Sequence, residues 1–193
     1  FSQIFFSKIK IIYPSLTIFA SILPLYFVAT SSEYRLSRIE TWLSRKCDYG
    51  VDLLGDCFQL NQSRIAISSG GLFGLGPGTS RARWGSLPNS YSDFISSIIG
   101  EEYGFFGLFL LVLAFFILIS TTFLIAIREK NEIKKLISVG FGSWIFFQTV
   151  INLGGAVGIV PITGIVLPFV SYGSSAMISI FIALGIMYSR DYE

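Results

Sequence analysis

Three stretches without a charged residue constrain this chain more than anything else in it. There are 22 uncharged residues between Lys10 and Glu33, 25 between Glu102 and Arg128, and 54 between Lys135 and Arg190. A bilayer core of ~30 Å needs ~20 helical residues, so the lengths predict one, one and two crossings. Pro161, Gly164 and Pro168 divide the last stretch, because they disfavour continuous helix. The predicted spans are 11–31, 103–127, 137–159 and 168–188. The fold class is therefore an all-α polytopic membrane protein, with 1–193 as a single membrane domain. A signal peptide does not suit the first span, which follows Lys8 and Lys10 and shows no small-residue cleavage pattern. One such run alone would fit a buried core helix, but four do not.

The short connections set an orientation. Lys8, Lys10, the cluster Arg128, Lys130, Lys134 and Lys135, and Arg190 all fall on one side of four spans. The turn at 160–167 on the opposite side carries no charge. The positive-inside rule then places both termini in the cytoplasm and the long 32–102 loop outside. That loop has seven basic residues of its own, but loops longer than ~60 residues translocate largely regardless of charge.

Composition removes whole classes of chemistry. Only 13% of residues are charged, about half the soluble average of ~25%. With no His, a Ser-His-Asp triad, a His-ligated zinc and a His-ligated haem are excluded. A net charge of +2 gives no footprint for nucleic acid. A first residue of Phe reads as a processed chain or a fragment.

Chemistry is expected in the external segment, which holds most of the ionisable groups. From Tyr34 to Trp42, charges alternate with Leu36, Ile39 and Trp42, a pattern that fits either an interfacial amphipathic helix or a solvated linker helix. Cys47 and Cys57 are ten apart, as a disulfide or as two buried thiols. The run Ser69-Gly-Gly-Leu-Phe-Gly-Leu-Gly-Pro-Gly78 offers amides for an anion, although turn geometry explains it more simply. Arg81 and Arg83 could pair with phosphate or with lipid headgroups. Asp93, just before a membrane-entering helix, is either an N-cap or a general base on a sugar hydroxyl. Glu101 and Glu102 are candidates through their depth at the start of the second span. The small residues Ser171–Ala176 suit close helix approach, with a substrate contact at Ser171 as the alternative.

Two motif blocks resemble the FtsW/RodA/SpoVE group of SEDS peptidoglycan glycosyltransferases. The first is Gln59…Gln62-Ser63, Gly70-Gly71…Gly74-Leu75-Gly76, Leu87-Pro88, Asp93-Phe94 and Ile99-Gly-Glu-Glu-Tyr-Gly104. It is similar to the family's run from QxxQS through a glycine turn to LPExHTDF and GEELG. The second runs from Asn152 through Pro161, Gly164 and Pro168 to Ser171-Tyr-Gly-Ser-Ser-Ala176, similar to the signature ending in PFISYGGSS. The match spans about 33–193, and Gly-Glu-Glu-x-Gly with Tyr34-Arg35 resembles the FtsW division branch. The sequence departs from the pattern at Asn89, Tyr91 and Ser92, where the family has Glu, His and Thr, and at Ser174 and Ala176.

The resemblance implies the last four of ten spans of a bacterial inner-membrane enzyme. Such an enzyme polymerises lipid II, a disaccharide-pentapeptide on undecaprenyl pyrophosphate, beside a class B penicillin-binding transpeptidase and other division proteins. Asp93 falls on the family's essential loop aspartate. The expected reaction is an inverting displacement in which Asp93 deprotonates the attacking hydroxyl, a role worth ~10²–10⁴-fold. Arg64, Arg81 or Arg83 would neutralise the leaving pyrophosphate, and a divalent cation (Mg2+ or Mn2+) is a further candidate for that task. Gln62, Glu101 and Ser171 complete the expected substrate contacts. A lipid flippase and a non-catalytic division scaffold are the competing readings.

Overall fold

A computed structural model describes residues 32–49, 55 and 57–188, together with 20, 21 and 24. The predicted span at 11–31 lies outside these residues except at those three positions. Lys8, Lys10 and Arg190 of the orientation argument also lie outside them. Among the described residues the chain is helical with no strand, in five α-helices: α1 Glu33–Leu43, α2 Phe58–Ser69, α3 Ile95–Arg128, α4 Glu132–Val157 and α5 Ser174–Tyr188. Single 3₁₀ turns occur at Lys46–Tyr49 and Ala82–Trp84.

Two helices are long and apolar enough to cross a membrane, α3 and α4. At 1.5 Å per residue, the part of α3 after Gly104 spans about 36 Å and α4 about 39 Å, more than a ~30 Å hydrocarbon core. A three-residue link joins them, so they pack as antiparallel neighbours. Asn131 starts α4, its side chain accepting from the amides of Ile133 (3.0 Å) and Lys134 (3.4 Å). Gly142 of α4 faces Thr122 of α3, where an added Cβ would come within 3.3 Å of the Thr methyl. Small residues at such a crossing let backbones approach in a membrane. Phe115, Phe141, Ile145, Leu167, Ile180 and Met187 form the core that α3, α4 and α5 share. The other side of α3 is apolar and open, with Phe105, Phe109, Leu110 and Phe116 all exposed.

α5 begins at Ser174, six residues later than the sequence alone suggests, and is apolar but only 15 residues long. Pro168, left-handed backbone at Phe169 (φ 62°) and Gly173 keep 159–173 out of helix. This irregular segment is held from α1 and α4, where Trp42, Arg38, Asn152 and Gln148 donate to the carbonyls of Ile159, Ile162, Ile165 and Val166.

α3 is broken at Gly104 (φ 65°, ψ −159°). A break there removes the helical bonds from Phe105 to Glu101 and from Phe106 to Glu102, leaving two carbonyls and two amides without partners. The glycine-rich run supplies all four. Leu75 N donates to Glu101 O and Gly76 N to Glu102 O, each at 3.0 Å, while Phe105 N donates to Gly71 O (2.9 Å) and Phe106 N to Leu72 O (3.2 Å). Irregular backbone inside a membrane protein persists only when its polar groups are satisfied in this way. Between the two possibilities for this run, its turn geometry has the structural role: the amides of residues 74, 75 and 76 are all spent on the chain itself.

Cys47 and Cys57 are joined in a disulfide with Cα atoms 5.3 Å apart. It ties the turn after α1 to the start of α2.

Candidate active site

Asp93 is placed by its neighbours in sequence and held by residues far from it. Leu87 and Phe94 are buried in a cluster with Ala66, Ala82 and Ala156, which pins both ends of the 87–94 loop. Between them the chain turns on Asn89 (φ 54°), a residue type that tolerates left-handed backbone. The amides of Ser92 and Asp93 both donate to Asn89 O, at 3.2 and 3.1 Å.

The second motif block then grips three successive carbonyls of this loop. Tyr172 N donates to Tyr91 O at 3.0 Å. Ser171 Oγ donates to Ser92 O at 2.5 Å while accepting from Leu167 N at 2.8 Å. Asn152 Nδ2 donates to Asp93 O at 2.9 Å and to Ile165 O at 2.7 Å. Each net hydrogen bond contributes ~1 kcal/mol, but the larger effect is geometric, since the backbone at 91–93 has little freedom left.

The Asp93 carboxylate is spared from structural work. The residue at the N-cap of α3 is Phe94, with no side-chain cap, so Asp93 does not cap the helix. The carboxylate is half-buried and has no hydrogen bond or ion pair among the described residues. It lines a small cavity with Asn152, Gly155, Thr163 and Gly164.

The other candidate residues divide into those near this loop and those elsewhere. Arg83 is near: its guanidinium lies 5.6 Å from the Trp84 ring and 5.9 Å from the Tyr91 ring, two residues before Asp93. Arg81 is exposed on the same 3₁₀ turn. Glu101 is buried and occupied: Oε2 accepts from Ser80 Oγ (2.6 Å) and Ala82 N (3.1 Å), and Oε1 from Arg81 N (3.1 Å). Its geometry is that of an anchor for the arginine-bearing turn, and its oxygens face the chain. Ser171 is likewise engaged on both sides. Glu102 is buried with Oε1 unpaired among the described residues.

Arg64 and Gln62 sit on α2. Arg64 Nε donates to Val157 O at 3.0 Å, placing positive charge at the C-terminal end of α4 where the helix dipole favours it. It borders a larger cleft of about 580 Å3, shared with Arg38, Arg45, Trp42 and Pro161. That cleft does not include Asp93. The two cavities have Ile162 in common, so the 158–165 segment is the partition between them. We take the smaller cavity as the chemical site, because it holds the carboxylate without a structural partner.

Two further residues, Arg38 and Asn152, frame the site. Arg38 donates to Ile162 O (2.9 Å) and Gln59 Oε1 (3.0 Å), bracing that partition. Asn152 was visible as a polar residue inside an apolar helix, a signal that marks function in membranes, but its partner could not be read from spacing. Among the described residues no group of three or more acidic, Cys or His side chains could hold a metal ion. Among these residues the donor set does not suit a cation held by the protein alone.

With this geometry in view, a family model described as "Cell cycle protein", FtsW/RodA/SpoVE, matches residues 1–193. The chain belongs to the FtsW/RodA/SpoVE family. Among curated relatives it is 37% identical over 175 residues to a probable peptidoglycan glycosyltransferase FtsW of Wigglesworthia glossinidia brevipalpis, covering 89% of this chain and 45% of that one. It is 40% identical over 165 residues to the stage V sporulation protein E of Bacillus subtilis, covering 83% and 44%. The chain thus spans less than half the length of both. Of solved structures, one of a peptidoglycan synthase complex that coordinates polymerization and crosslinking aligns with TM-score 0.65 and 25% identity, over 96% of this chain and 50% of that one. A mutant of the Thermus thermophilus rod shape determining protein RodA aligns with TM-score 0.50 and 32% identity, over 70% and 40%. In this member of the FtsW/RodA/SpoVE family, the loop residues Asn89, Tyr91 and Ser92 that depart from the expected pattern are the ones whose backbones shape the Asp93 turn.

Proposed function

We propose that this chain is the C-terminal portion of a peptidoglycan glycosyltransferase of the FtsW branch, which polymerises lipid II during bacterial cell division. One observation carries the reading. The Asp93 carboxylate has no structural partner among the described residues, although the carbonyls of residues 91–93 are clamped by three donors from residues 152–172. An aspartate kept only for folding would spend its oxygens on the chain, as Glu101 does.

In the proposed reaction, the 4-hydroxyl oxygen of one lipid II attacks the anomeric carbon of another sugar. The bond from that carbon to the lipid pyrophosphate breaks, its electron pair leaves with the pyrophosphate, and the hydroxyl proton passes to Asp93. The pyrophosphate leaves readily, so catalysis consists mainly of positioning and charge neutralisation. Arg83, stacked beside Tyr91, and Arg81 are the cations nearest the loop in sequence. Arg64, in the neighbouring cleft, is assigned to bracing α4.

The same reading places the chain as the last four of ten spans in the inner membrane, with termini cytoplasmic and the 32–102 region extracytoplasmic. α3 and α4 supply two spans, α5 belongs to the last, and 11–31 is the first. A class B penicillin-binding transpeptidase is the proposed partner, a pairing supported by the likeness to a complex that couples polymerization to crosslinking. The test is polymerisation of labelled lipid II by the intact protein in liposomes. Asp93→Asn is expected to abolish glycan formation while the protein inserts and unfolds as wild type does. Normal polymerisation by that variant would end the proposal.

A further inference from the structure

Asn152 is 4% exposed, and its amide orientation is not arbitrary. Nδ2 faces two carbonyl oxygens, those of Asp93 and Ile165. Turned over, Oδ1 would confront both acceptors, so the observed orientation is the one the surroundings allow. Oδ1 is buried and, among the described residues, has no hydrogen-bond partner. An unpaired buried acceptor is rare in folded proteins. Asn152 lines the cavity that Asp93 lines, and this cavity has about 10 Å3 open to the centre of a water molecule, roughly the room one water needs. On the Asp93 side the wall is Gly164, whose added Cβ would stand 3.6 Å from Asp93 Oδ2.

We propose that this cavity is a single-water site and that Asn152 is the positioning residue for Asp93. The water donates one O–H to Asn152 Oδ1 and the other to the Asp93 carboxylate. One amide then holds the aspartate twice, at the main chain directly through Nδ2 and at the side chain through the water. Without the water, a carboxylate on a fixed backbone can still turn between rotamers, and misplacement by 1 Å can cost ~10²-fold in rate. This inference rests on the reading of Asp93 as the base.

Gly155 allows the water to be tested apart from the fold. It lines the same cavity, and a Cβ there would meet Ile162 Cα and Pro161 O at 3.9 Å each, ordinary contact distances. Alanine is also the better helix former. Gly155→Ala therefore narrows this small cavity by a methyl group without strain. The experiment measures lipid II polymerisation against substrate concentration by the intact protein in liposomes, with thermal unfolding in parallel. Wild type, Asp93→Asn, Asn152→Leu and Gly155→Ala are compared. For Gly155→Ala, kcat is expected to fall about tenfold with KM within about twofold, and the unfolding temperature to stay at or above that of wild type. For Asn152→Leu, kcat is expected to fall about 100-fold. A wild-type kcat in Gly155→Ala overturns the water site, even if Asn152→Leu is slow or unstable. If instead wild type makes no glycan, or Asp93→Asn makes it normally, the catalytic reading itself is what has failed.

Discussion

Gly74 and Gly104 lie backbone against backbone, closer than a side chain on either would permit. Both also have positive φ, 81° and 65°. The glycine-rich loop and the break in α3 are therefore one joint, in which each segment completes the hydrogen bonding of the other. Gly104→Ala is expected to destabilise the protein by about 3 kcal/mol, combining overpacking of ~1–3 kcal/mol with left-handed strain of ~1–2 kcal/mol. Thermal unfolding in detergent checks this, and an unchanged unfolding temperature would show that the joint is loose.

Glu101 anchors the turn that carries Arg81 and Arg83. Replacing it by Gln turns one acceptor into a donor, which then confronts either Arg81 N or the pair of donors at Ser80 and Ala82. Hydrogen bonds to charged groups contribute ~1.5–3 kcal/mol each, so Glu101→Gln is expected to cost about 2 kcal/mol or more. Hydrogen exchange should accelerate first at residues 80–84. Exchange that stays at wild-type levels there would remove the anchor role.

Arg83 separates a stabilising role from a chemical one. Stacking at an exposed site contributes only ~0.5–1 kcal/mol, so Arg83→Ala should scarcely move the unfolding temperature. If the guanidinium meets the departing pyrophosphate, glycan synthesis should fall about tenfold or more. Arg83→Lys should restore only part of it, because an ammonium lacks the planar pair of donors. Wild-type synthesis by Arg83→Ala would hand the role to Arg81.

The Cys47–Cys57 bridge is open to a direct chemical check. Alkylation before and after reduction, read by mass spectrometry, should show both thiols blocked in the protein as isolated. Closing a loop with cysteines ten apart stabilises by about 3 kcal/mol in the chain-entropy account. A double Cys47→Ser, Cys57→Ser variant should unfold at a correspondingly lower temperature. Free thiols in the untreated protein would refute the bridge.

The sequence was most informative where physics acts locally. Long charge-free runs announce α3 and α4, and Trp42, Ile39 and Leu36 announce α1, because bilayer thickness and helical period leave few alternatives. Gly104 was opaque for the opposite reason. A glycine in an apolar helix breaks it only when another segment supplies the missing bonds, and that segment begins thirty-odd residues earlier. α5 starts at Ser174, inside the span expected from 168, because the effects of Pro168, Phe169 and Gly173 add up over a turn that spacing does not resolve. Asp93 could be singled out by its chemistry, and its freedom from capping emerged only when Phe94 was seen to begin the helix. Asn152 stands out in the sequence as a polar residue in an apolar run, but its partner lies 59 positions away. Ten residues between cysteines left the disulfide undecided, since spacing carries no direction for the Cβ atoms.

The three donors that aim the Asp93 loop all come from its downstream partner segment, with 79 positions between Ser92 and Ser171. During synthesis the proposed base leaves the ribosome long before the groups that orient it. A nascent chain, or one cut short before Tyr172, carries the carboxylate without a sight line. Any activity of the proposed base would thereby wait until residues 152–172 have been translated, a dependence written into chain order rather than into any inhibitor.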